Sequence, residues 1–197
     1  ADDLVLLMLQ RGKSARHAIE TAGALISQYG YTVSTIDGAE GTVCMAVADR
    51  KRAFSWSLAP AATGVPAVSQ TIIWSARPNC FGIGDIDFND TKNFICSPVL
   101  YDLAVENGLI QAGEVLNFAK AFGGDHTTLN PSYGGALNPV NMLRKWRVVH
   151  ALSGQDLPLE APVYDCVPSS PLSVRSLMTL MRDSLEGTRY DLSQAPE

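Results

Sequence analysis

The chain has 197 residues, 46% hydrophobic and 18% charged, with 15 Lys+Arg against 20 Asp+Glu for a net charge of -5. That is apolar material enough to bury a core and too little charge to keep the chain unfolded, so a globular protein with a single domain over 1–197 is expected. The acidic balance, with basic residues scattered except at Arg50-Lys51-Arg52, argues against a nucleic-acid partner, and the longest nearly apolar run, Leu4 to Leu9, falls far short of the about 20 residues of a membrane span.

Asp3 to Gln10 is apolar without a start signal, and Arg11-Gly12-Lys13 interrupts it. Ser14 then offers an N-cap. Ala15, Ala18, Ile19, Ala22, Leu25 and Ile26 recur at helical spacing, and Gly30 supplies a left-handed stop. Four β-branched or aromatic runs follow: Tyr31 to Ile36, Thr42 to Ala48, Ala53 to Leu58 and Ala67 to Trp74. Asp37-Gly38, the charged turn Asp49 to Arg52 and the loop Pro60 to Pro66 separate them, and such short turns predict antiparallel pairing.

The second half is helical again. Ser97-Pro98 reads as an N-cap with Pro at the first helical position, ahead of Leu100, Leu103 and Ala104 and an end at Asn107-Gly108. Asn138-Pro139 starts another helix, with Leu143, Trp146, Val149 and Leu152 on one side. Ser173 caps the last, with Val174, Leu177, Met178, Met181 and Leu185 as its stripe and Gly187 as its stop. Helices flanking a contiguous block of strands give an α+β fold with antiparallel sheets. No G-x-G-x-x-G or Walker loop is present, so a nucleotide cofactor is not indicated.

Cys44, Cys80, Cys96 and Cys166 lie far apart with no C-x-x-C pair, so no metal is expected and the simplest reading is four free, partly buried thiols in a reducing, cytoplasmic compartment. His17, His126 and His150 are each read as surface or satisfied core residues rather than catalysts. No G-x-S-x-G elbow occurs. The acidic stretch Gly84 to Asp90 fails as an EF-hand loop, because the sixth and twelfth slots hold Asp90 and Cys96 where Gly and Glu are needed, and it reads as a solvated turn. More informative is Arg77-Pro78-Asn79-Cys80: Pro78 fixes the chain after a strand, and Asn79 can present an amide donor as an oxyanion ligand, or serve as an ordinary turn residue.

From Asn79 to Leu109, the stretches D-I-D-F-N-D, N-F-I-C-S-P-V-L and L-A-V-E-N-G-L resemble the cysteine dipeptidases related to secernins, among the N-terminal-nucleophile hydrolases. Ser14 to Ile19 with Tyr29-Gly30-Tyr31 resembles the family's helix-to-strand step, Leu143 to Arg147 its arginine-bearing helix, and Leu180 to Leu192 its late helix and exit. The resemblance runs in order along nearly the whole chain. It implies a four-layer αββα fold and hydrolysis of dipeptides or small amides by an N-terminal Cys whose own α-amine takes the thiol proton. It also implies a strand-end Asn near the oxyanion and a helix Arg beside the nucleophile; these fall on Asn79 and Arg144. A cation near a thiol lowers its pKa.

The family's first strands and nucleophile have no counterpart here, so the chain is expected to be the central and C-terminal part of such a domain, inactive alone. Exposed edges would make it pair with the missing N-terminal segment, with a second chain or with itself as a homo-oligomer. Arg144 also reads as a helix-surface residue with its stem along Trp146 or its guanidinium paired to a carboxylate, and Cys80 as a replacement nucleophile lacks any nameable base. The other function class to weigh is a catalytically inactive scaffold or assembly module of the same fold.

Overall fold

A computed structural model describes residues 2–31, 43–60, 72–80, 82–122, 139–158, 161, 163–188, 191 and 193. They fall in two compact units, Ala1–His126 and Thr127–Glu197. All but Tyr31 of the strand expected from Tyr31 to Ile36, the Asp37-Gly38 turn, most of the Pro60 to Pro66 loop, residues 67–71 of the strand expected from Ala67 to Trp74, Asn138 and His126 lie outside the described residues.

In the first unit the opening apolar run is a helix, α1 (Asp2–Arg11), and the amphipathic segment is α2 (Ala15–Tyr29). Ser14 caps α2 as its composition suggests: its side chain accepts from the His17 N–H, and Gly30 closes the helix at φ 76° with its N–H on the Ile26 carbonyl. Strands β1 (Val43–Ala48), β2 (Ala53–Pro60), β3 (Ile72–Pro78) and β4 (Ile95–Cys96) form one antiparallel sheet in the order β1-β2-β3-β4. The β1–β2 turn is built on Asp49, whose Oδ1 accepts from the Lys51 and Arg52 N–H groups while Oδ2 accepts from Ala15 at the start of α2. Those three backbone donors hold the Asp49 carboxyl below its ordinary pKa.

Period-two alternation sorts the sheet into two faces. Phe54, Trp56, Leu58, Ile72, Trp74 and Ala76 pack with buried residues of α1 and α2. Contact is closest at Gly23, where any Cβ would lie 2.1 Å from Cζ2 of Trp74. On the opposite face Ala59 and Ile73 join a second core with Ile83, Leu116, α3 (Leu100–Glu106) and α4 (Phe118–Phe122). The described fold of this unit is therefore α+β.

The start of the next helix differs from expectation. Helix α3 begins at Leu100 and has no side-chain cap. Ser97 is buried instead, accepting from the Trp74 N–H through Oγ at 3.3 Å and donating its own N–H to the Trp74 carbonyl at 2.9 Å. A hydroxyl satisfied by the neighbouring strand is not free to cap a helix, so Ser97 extends the sheet.

In the second unit α5 (Pro139–Ser153) buries Leu143 and Val149 and half-buries Trp146 and Leu152, the predicted side. Ser173 and Ser176 form a reciprocal capping box at the start of α6 (Val174–Met181). This helix is shorter than its pattern suggested: it stops at Arg182, and Leu185 is buried beyond it at φ 67°. Val174, Leu177, Met178 and Met181 are exposed rather than a core stripe.

Candidate functional site

Asn79 follows β3 directly and is exposed. Buried Pro78 ends the strand, and the Asn79 N–H donates to the Ala53 carbonyl at 3.3 Å, closing the ladder at the start of β2. Its backbone sits at φ 56°, the left-handed region that Asn tolerates better than other non-glycine residues but that still costs energy. The backbone that carries the carboxamide is thus tied to the neighbouring strand. Beside it, the Cys80 thiol donates to the Arg77 carbonyl at 3.3 Å, and the Arg77 guanidinium lies 5.6 Å from the Phe94 ring centroid.

Strand register creates a feature that no sequence spacing announced. Cys44 pairs with Ser57, Ser57 with Ser75 and Ser75 with Cys96, a row of small polar side chains running across all four strands on the face away from α2. The Cys44 thiol lies 3.3 Å from the Ser57 hydroxyl, and the Cys96 thiol 3.3 Å from that of Ser75. Ser57 and Ser75 are buried; burial pushes the Cys96 thiol pKa up, with Ser75 pulling the other way. Cys96 is accordingly a neutral hydrogen-bonding thiol.

Arg144 is on α5 in the second unit, exposed and without a hydrogen-bond or ion-pair partner among the described residues. Its neighbours are committed elsewhere. Lys145 donates Nζ to the Ala161 carbonyl at 2.8 Å, burial lowering its pKa. Arg147 grips Asp183 with two parallel bonds, Nε to Oδ1 at 2.9 Å and Nη2 to Oδ2 at 2.6 Å. That grip, with the Leu185 N–H on Oδ1, holds the Asp183 carboxyl below its usual range. Trp146 stacks on His150 with ring centroids 5.1 Å apart. The Arg147–Asp183 pair escaped the sequence reading because its members are 36 residues apart, with no local spacing to link them.

The remaining candidates have structural work. His17 opens α2, with its Nδ1 near the Lys13 N–H and the Thr21 hydroxyl. Asp85 accepts from Asn117 at 2.7 Å across an isolated antiparallel bridge, while Asp87 accepts from the Asn89 N–H and Asp90 from the Asn93 amide, so the acidic stretch is one cross-chain bridge followed by two turn caps. None of the four cysteines is in a disulfide; Cys44 is exposed on β1, while Cys80, Cys96 and Cys166 are half-buried. Burial, then the charge of Asp165, raises the Cys166 pKa. Among the described residues no group of acidic, His or Cys side chains is arranged to hold a metal, and no helix is long and apolar enough to cross a membrane.

Compared with known proteins, residues 1–197 match the sequence pattern of peptidase family C69 from end to end. No curated protein matches the chain.

Proposed function

The chain belongs to peptidase family C69, the family of secernin-like cysteine dipeptidases, and on that premise we propose that it carries part of the site of a dipeptide hydrolase. In this reading a cysteine thiolate at a processed chain start attacks the scissile carbonyl after its own α-amine has taken the thiol proton. Asn79 donates its carboxamide N–H to the developing oxyanion, and Arg144 is the residue on which the family's thiolate-favouring Arg falls by resemblance. The protonated amine returns its proton to the leaving amino group; water then attacks the thioester and regenerates the thiol. The sheet with its α1–α2 layer would form one half of the four-layer αββα sandwich.

What supports this most is Asn79: an exposed carboxamide at a strand end, at φ 56°. Backbone strain of about 1–3 kcal/mol persists only where the surroundings enforce it, and functional sites are where such residues cluster. The thiols point the same way. Cys96 and Cys166 are raised in pKa, the opposite of the shift a nucleophilic thiol needs.

The test is dipeptide hydrolysis by the processed full-length gene product that contains these residues. Asn79→Ala should lower kcat by about 100-fold or more with little change in KM, as loss of an oxyanion donor does. Full activity in that variant would remove Asn79 from the mechanism. No turnover by the unmodified protein on a broad dipeptide panel would remove the hydrolysis and favour a scaffold.

A further inference from the structure

We propose that a cavity in the first unit, separate from Asn79, binds a small organic ammonium ion. The cavity has a volume of about 230 Å³ and lies between the acidic turn, β4 and the start of α3, with walls that include Phe88, Thr91, Phe94, Cys96, Tyr101 and Asp102. Drug-sized sites begin near 300 Å³, so this one suits a ligand of about ten heavy atoms or fewer.

Its chemistry selects the ligand's charge. Among the described residues Asp102 is the only formally charged side chain in the lining, and no Lys, Arg or His contributes to it. Three aromatic rings surround the space, and ring faces attract cations within about 6 Å of their centroids. Tyr101 is held firmly: its hydroxyl accepts from the Gly113 N–H at 2.7 Å, and its ring meets Phe88 edge to face at 5.6 Å and 82°. Phe94 already carries a cation, the Arg77 guanidinium, and Arg77 is not part of the cavity wall. The Cys96 thiol, kept neutral by burial, adds a polarizable surface without opposing charge. A carboxylate with aromatic walls favours an amine bearing an apolar body over an anion or a neutral molecule of the same shape.

Asp102 has a purely structural alternative, since an acid in the first turn of α3 is favoured by the helix dipole. Binding separates the two roles. Phenethylammonium and its neutral counterpart 2-phenylethanol would be titrated into the isotope-labelled full chain and followed by amide NMR shifts. The expected result is saturable shifts at Ser97, Tyr101 and Asp102 with the amine, and at least fivefold weaker binding of the alcohol. Asp102→Asn should weaken the amine about fivefold, as for a solvent-accessible ion pair, and Phe88→Leu about threefold. Phe88 is 41% exposed, so that variant keeps the test open should Asp102→Asn fail to fold.

Equal binding of the alcohol, unchanged affinity in both variants, or shifts confined to other residues would overturn the assignment. Glycyl-glycine, which is no larger than phenethylammonium, and its N-acetyl form distinguish the origin of the ammonium. Tighter Asp102-dependent binding of the free peptide than of phenethylammonium identifies a peptide amino terminus, the reverse identifies a free amine, and equal binding of both peptides counts against the site. Nothing in this binding requires the hydrolysis proposed above.

Discussion

Asp183→Ala is the perturbation whose consequences are most closely bounded by geometry. The side chains of Arg147 and Asp183 are only 18% and 15% exposed, and they share two short, parallel hydrogen bonds. Exposed pairs contribute about 0.2–1 kcal/mol, whereas removing one partner of a fully buried pair costs about 3–5 kcal/mol. A bidentate pair at this depth belongs between them, at about 2 kcal/mol. Truncation of Asp183 also strips the acceptor from the Leu185 N–H, 2.7 Å away, for about 1 kcal/mol more. Asp183→Ala should therefore destabilise by about 3 kcal/mol, and a double-mutant cycle with Arg147→Ala should give a coupling of about 1.5–2 kcal/mol. The assay is urea denaturation followed by far-UV circular dichroism. The folded-state pKa of Asp183 is depressed, chiefly by its bond to Arg147, so its stabilisation is fully present above the unfolded value near 3.8 and is lost as pH falls through the lower folded value. The coupling should be the same at pH 7 and pH 5 and shrink below about pH 4. A coupling under about 0.3 kcal/mol at pH 7, or one that persists undiminished in acid, would refute the assignment of a stabilising partly buried pair.

Two further outcomes test the sheet and its end. Gly23→Ala would drive a methyl group to 2.1 Å from the buried Trp74 ring and should cost about 2–3 kcal/mol in chemical denaturation; a change below about 0.5 kcal/mol would mean that α2 does not press on β3 as described. At Asn79, with φ 56°, Gly should be tolerated or slightly stabilising while Val costs about 1–2 kcal/mol in thermal melts; equal effects of the two would show that the left-handed backbone is not enforced.

The parts of this fold that were legible in the sequence are those where local chemistry and global packing agree. Ser14, Gly30, Asp49 and Ser173 each satisfy backbone groups within a few residues, and each does so in the structure. The run from Ala53 to Leu58 is the strand β2 because Phe54, Trp56 and Leu58 meet α1 and α2 on one face. Legibility failed where a long-range partner competed. Ser97 looks like a helix cap but bonds Trp74, 23 residues away. The stripe of α6 reads as core, yet the helix ends early because Asp183 bonds the Leu185 N–H and the chain then turns. At the candidate site, Asn79 could be picked out from Pro78 and the end of the strand, whereas the Cys44–Ser57–Ser75–Cys96 row depends on register, which only paired strands define.

The same register explains why Asn79 can be held in a strained conformation. Trp56 and Trp74 meet edge to face at 6.2 Å and 79° beneath α2, and both indole N–H groups are buried without an acceptor among the described residues. Each unmet donor costs about 1–3 kcal/mol. Each ring also buries about 200 Å² or more, about 5 kcal/mol at 25 cal/mol per Å², so burial exceeds the polar penalty at both positions. The net gain falls on β2 and β3, the two strands joined by the Asn79 N–H to Ala53 bond. An about 1–3 kcal/mol strain at the end of β3 is small against that anchoring, so the Asn79 backbone can be kept at φ 56°. A position on a loose loop, without the paired strands to hold it, would relax away from φ 56°.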